Sequence, residues 1–175
     1  ILQSDKLNND LLMKQILDFF EEKNIKFSEI STIFVNQGPG NFSGIRGSLA
    51  IAKGVSLAKN LNLLGYNTFI LSCSKFLDKK DFIFSIVNFR EKYFIKKFDR
   101  NLKSVSDAKE IEEAEIIEKY DNKFKVVPQN CVKYFSKKIL NLNHLRIVDL
   151  DHQELEVLQL HDLLDKDVIK PLYLS

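Results

Sequence analysis

The residues best spaced to do chemistry form one stretch, Gln37-Gly38-Pro39-Gly40-Asn41-Phe42-Ser43-Gly44-Ile45-Arg46-Gly47, which holds four of the chain's six glycines. A glycine-rich turn ahead of a helix offers backbone N–H groups to an anion or phosphate. A tight structural turn wants the same glycines, because they reach positive φ and let other backbone come close. The phosphate-loop pattern G-x-x-x-x-G-K-[ST] is absent: one residue too many separates Gly38 from Gly44, and no Lys-Ser/Thr follows. The pattern G-x-G-x-x-G fails on the place of its last glycine. Both readings stay open, with the structural turn ahead of the anion cradle.

Other candidates for chemistry are sparse. Glu110, Glu112, Glu113, Glu115 and Glu118 crowd the segment from Asp107 to Lys119. Two carboxylates do acid–base work when their pKa values are driven apart, but with Lys109 and Lys119 among them a solvated helix face is the simpler reading. The three histidines, His144, His152 and His161, form neither H-E-x-x-H nor H-x-x-x-H, so no metal site is expected. Ser43 has no G-x-S-x-G elbow and no partner base, and Cys73 has no activating histidine. No catalytic residue is assigned. Cys73 and Cys131 read as two buried thiols of a reducing compartment.

The turn must be held by the elements around it. Ser31 to Asn36 is short, apolar and β-branched, the pattern of a buried strand. Ser43 to Leu61 lacks proline and is rich in alanine, the pattern of a helix, with Ser43 placed to cap its start. At 100° per residue, Gly47, Ala50, Ile51, Gly54, Ala58 and Leu61 share one stripe, while Ile45, Leu49 and Ala52 lie opposite. The second group is assigned to the chain's own core. The first is a small-residue face that lets another helix come close, and the residues alone leave open whether that helix belongs to a partner or to the chain's own domain.

Elsewhere, Leu11 to Lys23 reads as an amphipathic helix stopped at Asn24, and Leu63 to Tyr66 as a strand. Thr68 to Leu77 reads as a short helix. Lys79-Lys80-Asp81 is a charged break, taken as the boundary between residues 1–79 and residues 80–175. Phe82 to Val87 and Tyr93 to Phe98 read as a hairpin. Pro128 to Leu140 reads as a helix with Val132, Phe135 and Ile139 inward. Asp151-His152-Gln153-Glu154 resembles a capping box opening a helix to about Leu164. The 45% hydrophobic content suffices for a core, and a net charge of +2 demands no nucleic acid. No apolar run reaches the length of a membrane span.

Val35-x-x-Gly38-Pro39-Gly40-Asn41-Phe42-Ser43-Gly44-Ile45-Arg46, followed by Leu49-Ala50-x-Ala52-Lys53-Gly54, resembles the bacterial TsaB family. That family's motif runs G-P-G-S-F-T-G-[IVL]-R ahead of a glycine-rich helix containing A-K-G. Asn41 stands for Ser, Ser43 for Thr, and Gly47-Ser48 for an apolar residue and glycine. The resemblance is firm over about residues 8–77. Beyond, only Arg90, Glu91 and Tyr93 match D-A-R-x-G-E-V-Y, with Asn88 at the acidic position. Pro171, Tyr173 and Leu174 match P-x-Y-L-R, with Ser175 for Arg. Asn8 stands where relatives often have histidine, so no role passes to it.

The resemblance implies an α/β fold of the actin/hexokinase-like type in two small lobes, the first partial. It also implies an opening segment: relatives begin with a strand, a D-T-S-like turn and a hairpin, whereas this sequence opens on Ile1. A lobe without its central strand is expected to expose a sheet edge and fold poorly. The implied function is a cytoplasmic, non-catalytic subunit in making threonylcarbamoyladenosine in tRNA. Its implied partners are a TsaD-like transferase, a TsaE-like ATPase, tRNA through the complex, and a second copy when alone. No cofactor is implied for the chain itself, and ATP only at the level of the complex. The rival reading is a nucleotide-binding enzyme of the same fold class using the Gly38–Gly44 turn. A peptidase, the old name given to relatives, finds no catalytic group here.

Overall fold

The computed structural model describes residues 9–174, with side chains from Leu11 onward; Asn8 and Ser175 lie outside the described residues. Two compact units emerge, Ile1–Tyr66 with Asp165–Leu172, and Asn67–Leu164 with Tyr173–Ser175. The division falls at Tyr66/Asn67 rather than at the charged break after Lys79. The reason is burial: every residue of helix Thr68–Cys73 is buried, and Ser72 Oγ and Ser85 Oγ, 2.8 Å apart, tie it to the second unit's sheet. The charged break is a turn inside that unit, where Asp78 N–H donates to Arg100 O and Arg100 Nε donates to Asp78 Oδ1.

The first unit contains helix α1 (Asn9–Glu22), strand β1 (Thr32–Asn36), helix α2 (Phe42–Lys59) and strand β2 (Asn62–Tyr66). β1 and β2 are parallel, in register from Thr32↔Asn62 to Asn36↔Tyr66. Among the described residues this sheet has two strands. Val35 of β1 packs on Ile45, Leu49 and Ala52 of α2, the face assigned to the core from the helical wheel, and Ile169 joins them. Leu12, Ile16 and Phe20 of α1 line an apolar cavity of about 240 Å³ with Phe34, Val55 and Phe27. Asn24 stops α1 in the left-handed region, as expected, and Asn60 does the same for α2.

Two features of this unit depart from expectation. The helix cap is Asn41, not Ser43. Asn41 holds non-helical backbone and its Oδ1 accepts the Ser43 N–H at 3.0 Å, so Ser43 is already inside the helix. The segment Asp165–Leu172 returns to the unit: Gly65 and Asp165 exchange two backbone hydrogen bonds, and Leu172 N–H donates to Gln37 O at 2.7 Å.

The second unit is a mixed five-stranded sheet of order β5-β4-β3-β6-β7. Its strands are β3 (Phe82–Phe89), β4 (Lys92–Asp99), β5 (Lys109–Ile111), β6 (Lys125–Pro128) and β7 (Leu145–Val148). Helix α3 (Thr68–Cys73) packs on β3 and β6. Ile86, Ile95, Ile111, Val127 and Leu145 face Ile116 of α4 (Glu113–Tyr120) and Ile139 of α5 (Lys137–Leu140). The expected β3–β4 hairpin is present. Its two turn residues, Arg90 and Glu91, both hold positive φ, the conformation a two-residue hairpin turn of this hand requires.

Three sequence readings change here. The glutamate-rich segment is not all helix: Ile111 pairs with Tyr93 and is buried, so β5 precedes α4. Its solvated character holds on α4, where Glu115 bridges Lys109 and Lys119. Pro128 ends β6 instead of opening a helix; the chain makes a 3-10 turn (Gln129–Tyr134), extends at Phe135 and re-enters helix only at α5, capped by Ser136. Helix α6 (Glu154–Leu160) has no capping box, since Asp151 Oδ1 accepts the Gln153 N–H, and it stops before Leu164 where Asp162 turns left-handed.

Lys125 is wholly enclosed in this unit. Its ammonium donates to Asp121 O at 3.0 Å and Asn143 O at 2.6 Å, and the Asp121 carboxylate accepts two hydrogen bonds from Asn143. The amine thus fastens the turn after α4 to the loop before β7. Burial pushes its pKa down to about 8, and the Asp121 charge pulls it partly back up. With the folded pKa below the unfolded value of 10.5, the cost of burying the charge is full below pH 8 and fades as pH rises to about 10.5. Urea unfolding of the wild type and Lys125→Met should therefore show their stability difference moving in favour of the wild type between pH 7 and pH 10. The expected change is about 2–3 kcal/mol.

Candidate functional site

The glycine turn is built from β1 outward. Gln37 N–H donates to Tyr66 O at 2.7 Å, and Gln37 O accepts the Leu172 N–H. Its side-chain amide donates to Asp165 Oδ2 at 2.9 Å and to Lys170 O at 3.0 Å. Gln37 Oε1 is buried without a hydrogen-bond partner and lies against Gly65, where a Cβ would come within 2.7 Å of it. One residue thus ties β1 to β2 and to the returning segment. The Asp165 and Lys170 contacts had no sequence signal, since both lie more than 120 residues away.

Gly38 follows with φ +120°, a backbone closed to other residues at little cost, and the Gly38–Pro39 peptide is cis. A Cβ on Gly38 would stand 2.9 Å from Ile45 Cδ1 and 3.1 Å from Leu172 O; one on Gly40 would stand 3.3 Å from Ile45 Cδ1. The space these glycines leave is filled by the chain itself. The Gly38 N–H is taken by Asn36 Oδ1 at 2.8 Å, the Ser43 N–H by Asn41, and Pro39 has none to give. Two donors that a phosphate cradle would use are therefore already bonded locally. Phe42 is exposed at the turn's outer side, with the Arg46 guanidinium 4.7 Å over its ring, and Gly44 is half-buried.

Beyond the turn runs α2. Ala50, Gly54 and Ala58 are exposed; Gly47, Ile51 and Leu61 are half-buried. The wheel omitted Leu57, which is 84% exposed and stands beside Ala50 on the same side. Its position at 50 + 7 was the available signal. Between α1 and α2 lies an apolar hollow of about 350 Å³, lined by Met13, Phe27, Ile51, Gly54, Val55 and Ala58, with Lys59 at its rim.

None of the other candidates gathers around the turn. His144, His152 and His161 all belong to the second unit. Among the described residues, no three His, Cys, Asp or Glu side chains are placed to hold a metal ion. Cys73 is fully buried, and burial pushes its thiol up to about 12 despite hydrogen bonds from Ser72 and Ser85. Cys131 is half-buried and raised by burial. No helix is long and apolar enough to cross a membrane.

The family described as "TsaD: tRNA N6-adenosine threonylcarbamoyltransferase" matches residues 4–81. The tRNA threonylcarbamoyladenosine biosynthesis protein TsaB of Buchnera aphidicola subsp. Baizongia pistaciae is 37% identical over 62 residues, 34% of this chain and 28% of that protein. Its counterpart in subsp. Acyrthosiphon pisum is 26% identical over 97 residues, 54% of this chain and 44% of that protein. These matches span less than half the length of the curated relatives. Two solved structures share the fold. A Pseudomonas aeruginosa protein with similarity to peptidase YeaZ has a TM-score of 0.64 at 13% identity, covering 97% of this chain and 85% of its own. YeaZ from the same organism has 0.61 at 11%, covering 93% and 83%.

Fold and glycine turn together define an α/β chain of the actin/hexokinase-like class. Within that class the chain is similar to TsaB proteins, the glycine-turn motif lying inside the stretch, residues 4–81, that the family model matches.

The geometry of the turn sets a stability test. Gly38→Ala should lower the unfolding free energy by about 2 kcal/mol or more, through positive φ and the clash with Ile45 and Leu172. Gly54→Ala, with nothing within 4 Å of the added methyl, should raise it by up to about 1 kcal/mol. Denaturant titration of both variants checks the pair.

Proposed function

We propose that the chain is a non-catalytic subunit in the synthesis of threonylcarbamoyladenosine in tRNA, which activates a TsaD-like transferase alongside a TsaE-like ATPase. The observation that carries this is the exposed face of α2. Directly after the family motif, an 18-residue helix presents Ala50, Gly54, Leu57 and Ala58 to solvent while its other side closes the unit's core. Small residues at such a face let a partner helix approach closely and gain packing over many atoms. The local use of the turn's N–H groups supports a binding role over nucleotide chemistry at Gly38–Gly44. The names of the Buchnera relatives supply the pathway.

Ala58→Arg tests this reading. A long cation placed in a close contact costs several kcal/mol when left unpaired, enough to weaken association about a hundredfold or more. Ala58 is exposed in the chain alone, so circular dichroism of the variant should match the wild type. Co-purification with the cell's own TsaD-like protein should succeed for the wild type and fail for Ala58→Arg. Retention of that partner by the variant would remove α2 as the binding face. The wild-type chain without partners should form no modified adenosine from threonylcarbamoyl-AMP and tRNA, and calorimetry should show no micromolar ATP binding.

A further inference from the structure

On one side of the second unit's sheet the helical cover ends before the strands do. Tyr120, the last residue of α4, meets the Phe84 ring edge-on, with centroids 5.0 Å apart. Phe82, two residues back on the same side of β3, is 48% exposed. Its neighbour comes from the next strand. Phe84 pairs with Lys97, whose ammonium stands 3.7 Å from the Phe82 ring centroid and 5.7 Å from that of Phe84. After β4 the chain folds back along the same edge. Asp99 N–H donates to Lys103 O and Val105 N–H to Lys97 O, so alternation sets Lys103 and Val105 on the side of Lys97 and Phe82. Val105 is 49% exposed and Lys103 is exposed. Exposed Lys80 and Lys123 stand at the rim, in the segments that lead into β3 and β6. Against these lysines stand Asp81 at the rim and Asp99, whose Oδ1 accepts the N–H groups of Asn101 and Lys103. The Asp121 carboxylate is taken up by Asn143.

We propose that this open end of the sheet binds a short single-stranded segment of RNA, with a base stacked on Phe82 and the flanking phosphates held by Lys97 and Lys103. One exposed phenylalanine by itself would carry nothing. Here it shares an uncovered sheet surface with Val105 and with lysines from two neighbouring segments. Aromatic side chains on such a surface are platforms for unstacked bases, since every base offers a π-face. Lys97 covers the Phe82 ring in the chain alone, as a cation does over an aromatic face. A base taking that place sends the ammonium outward, where a phosphate oxygen meets it. A protein partner fits less well. An apolar surface laid over Phe82 and Val105 would bury the Lys97 ammonium without a counter-charge, at a cost its contacts must overcome. RNA brings a negative charge with each nucleotide. A duplex is disfavoured by the same chemistry, because its bases are already stacked on one another. The site lies wholly in the second unit. Why the chain would meet RNA rests on the pathway proposed above.

Fluorescence anisotropy of a labelled, unstructured oligoribonucleotide with the whole chain tests the site over a range of salt concentrations. The wild type should bind the single strand about tenfold or more tightly than a duplex of the same length. Phe82→Ala should weaken binding about tenfold and leave its salt dependence as it is, because stacking is lost and no charge. Lys97→Gln should weaken it about fivefold and reduce the slope of log affinity against log salt by about 0.7. Tyr134→Ala removes another exposed ring of the same unit, with the Lys133 ammonium 4.9 Å from its centroid, and should leave binding unchanged. Circular dichroism checks that each variant folds. Photo-cross-linking of the wild type to the same RNA carrying 4-thiouridine needs no variant, and its adducts should fall on the peptides holding Phe82 and Lys97. A wild type that binds no single strand, or binds the duplex equally, overturns the proposal. So do cross-links confined to other peptides, folded Phe82→Ala and Lys97→Gln proteins that bind as wild type, or a Tyr134→Ala loss equal to that of Phe82→Ala. Co-purification with the TsaD-like protein keeps the two readings apart. RNA binding without retention of the transferase would end the activating-subunit reading and leave the RNA site intact; retention without RNA binding would do the reverse.

Discussion

The first unit depends on one close approach, that of the Leu172 carbonyl and the Ile45 side chain to Gly38. Both occupy the space a Cβ would need, and the positive φ of Gly38 is what brings them there. From this contact the rest follows in order. Ile45 is fixed, so α2 starts at a set angle and presents Leu49 and Ala52 to Val35. Leu172 is fixed, so the segment from Asp165 is drawn along β2, and Ile169 fills the remaining core position. Gln37 secures both sides with backbone and amide groups. Its unpaired Oε1 is the residue of that tight fit, since Gly65 lies where a partner would stand. An unsatisfied buried acceptor costs on the order of 1–3 kcal/mol, a loss this small unit carries only because several bonds converge on the same residue.

A helix that closes a core on one side usually turns charge toward solvent on the other. α2 does so only at its flanks, with Arg46, Lys53 and Lys59. Between them the exposed residues are alanine, glycine and one leucine. An exposed Leu by itself needs no explanation, because much of any protein surface is apolar. Here the leucine stands beside an open apolar hollow and a glycine that adds nothing to helix stability. Gly54 costs the isolated helix about 1 kcal/mol relative to alanine. Close approach of a partner, as in the proposed binding role, would offset that cost.

How much of this was legible depended on whether the deciding contact was local. The β1–turn–α2 order, the burial of Ile45, Leu49 and Ala52, and the stop at Asn24 follow from periodicity and propensity, and all are present. The cap was misplaced by two residues because Asn41 and Ser43 are both good caps, and only the backbone at Asn41 decides between them. The helix expected after Pro128 was overridden by tertiary packing: Phe135 and Ile139 are both buried as expected, but through a 3-10 turn and an extended residue. β7 was missed because half of its four residues point outward, leaving too little pattern. The return of Asp165–Leu172 to the first unit, and with it the place of the unit boundary, rests on pairings across 100 residues or more, which no local pattern carries.

Strongly displaced pKa values often mark sites of chemistry, because catalysis needs groups poised away from their ordinary behaviour. Here they point elsewhere. Cys73 is raised to about 12, which keeps it a thiol and a poor nucleophile. Lys125 is lowered to about 8, but both of its hydrogen-bond acceptors are backbone carbonyls and no solvent reaches it. Each displacement comes first from burial; Lys125 fastens two segments of the second unit together, and Cys73 lies fully inside it. Both therefore read as parts of a packed interior. The unusual chemistry of the surface lies instead on α2, where polar groups are scarce and space is left open. An exposed apolar helix beside an enclosed interior is the distribution of surfaces that the proposed binding role asks for.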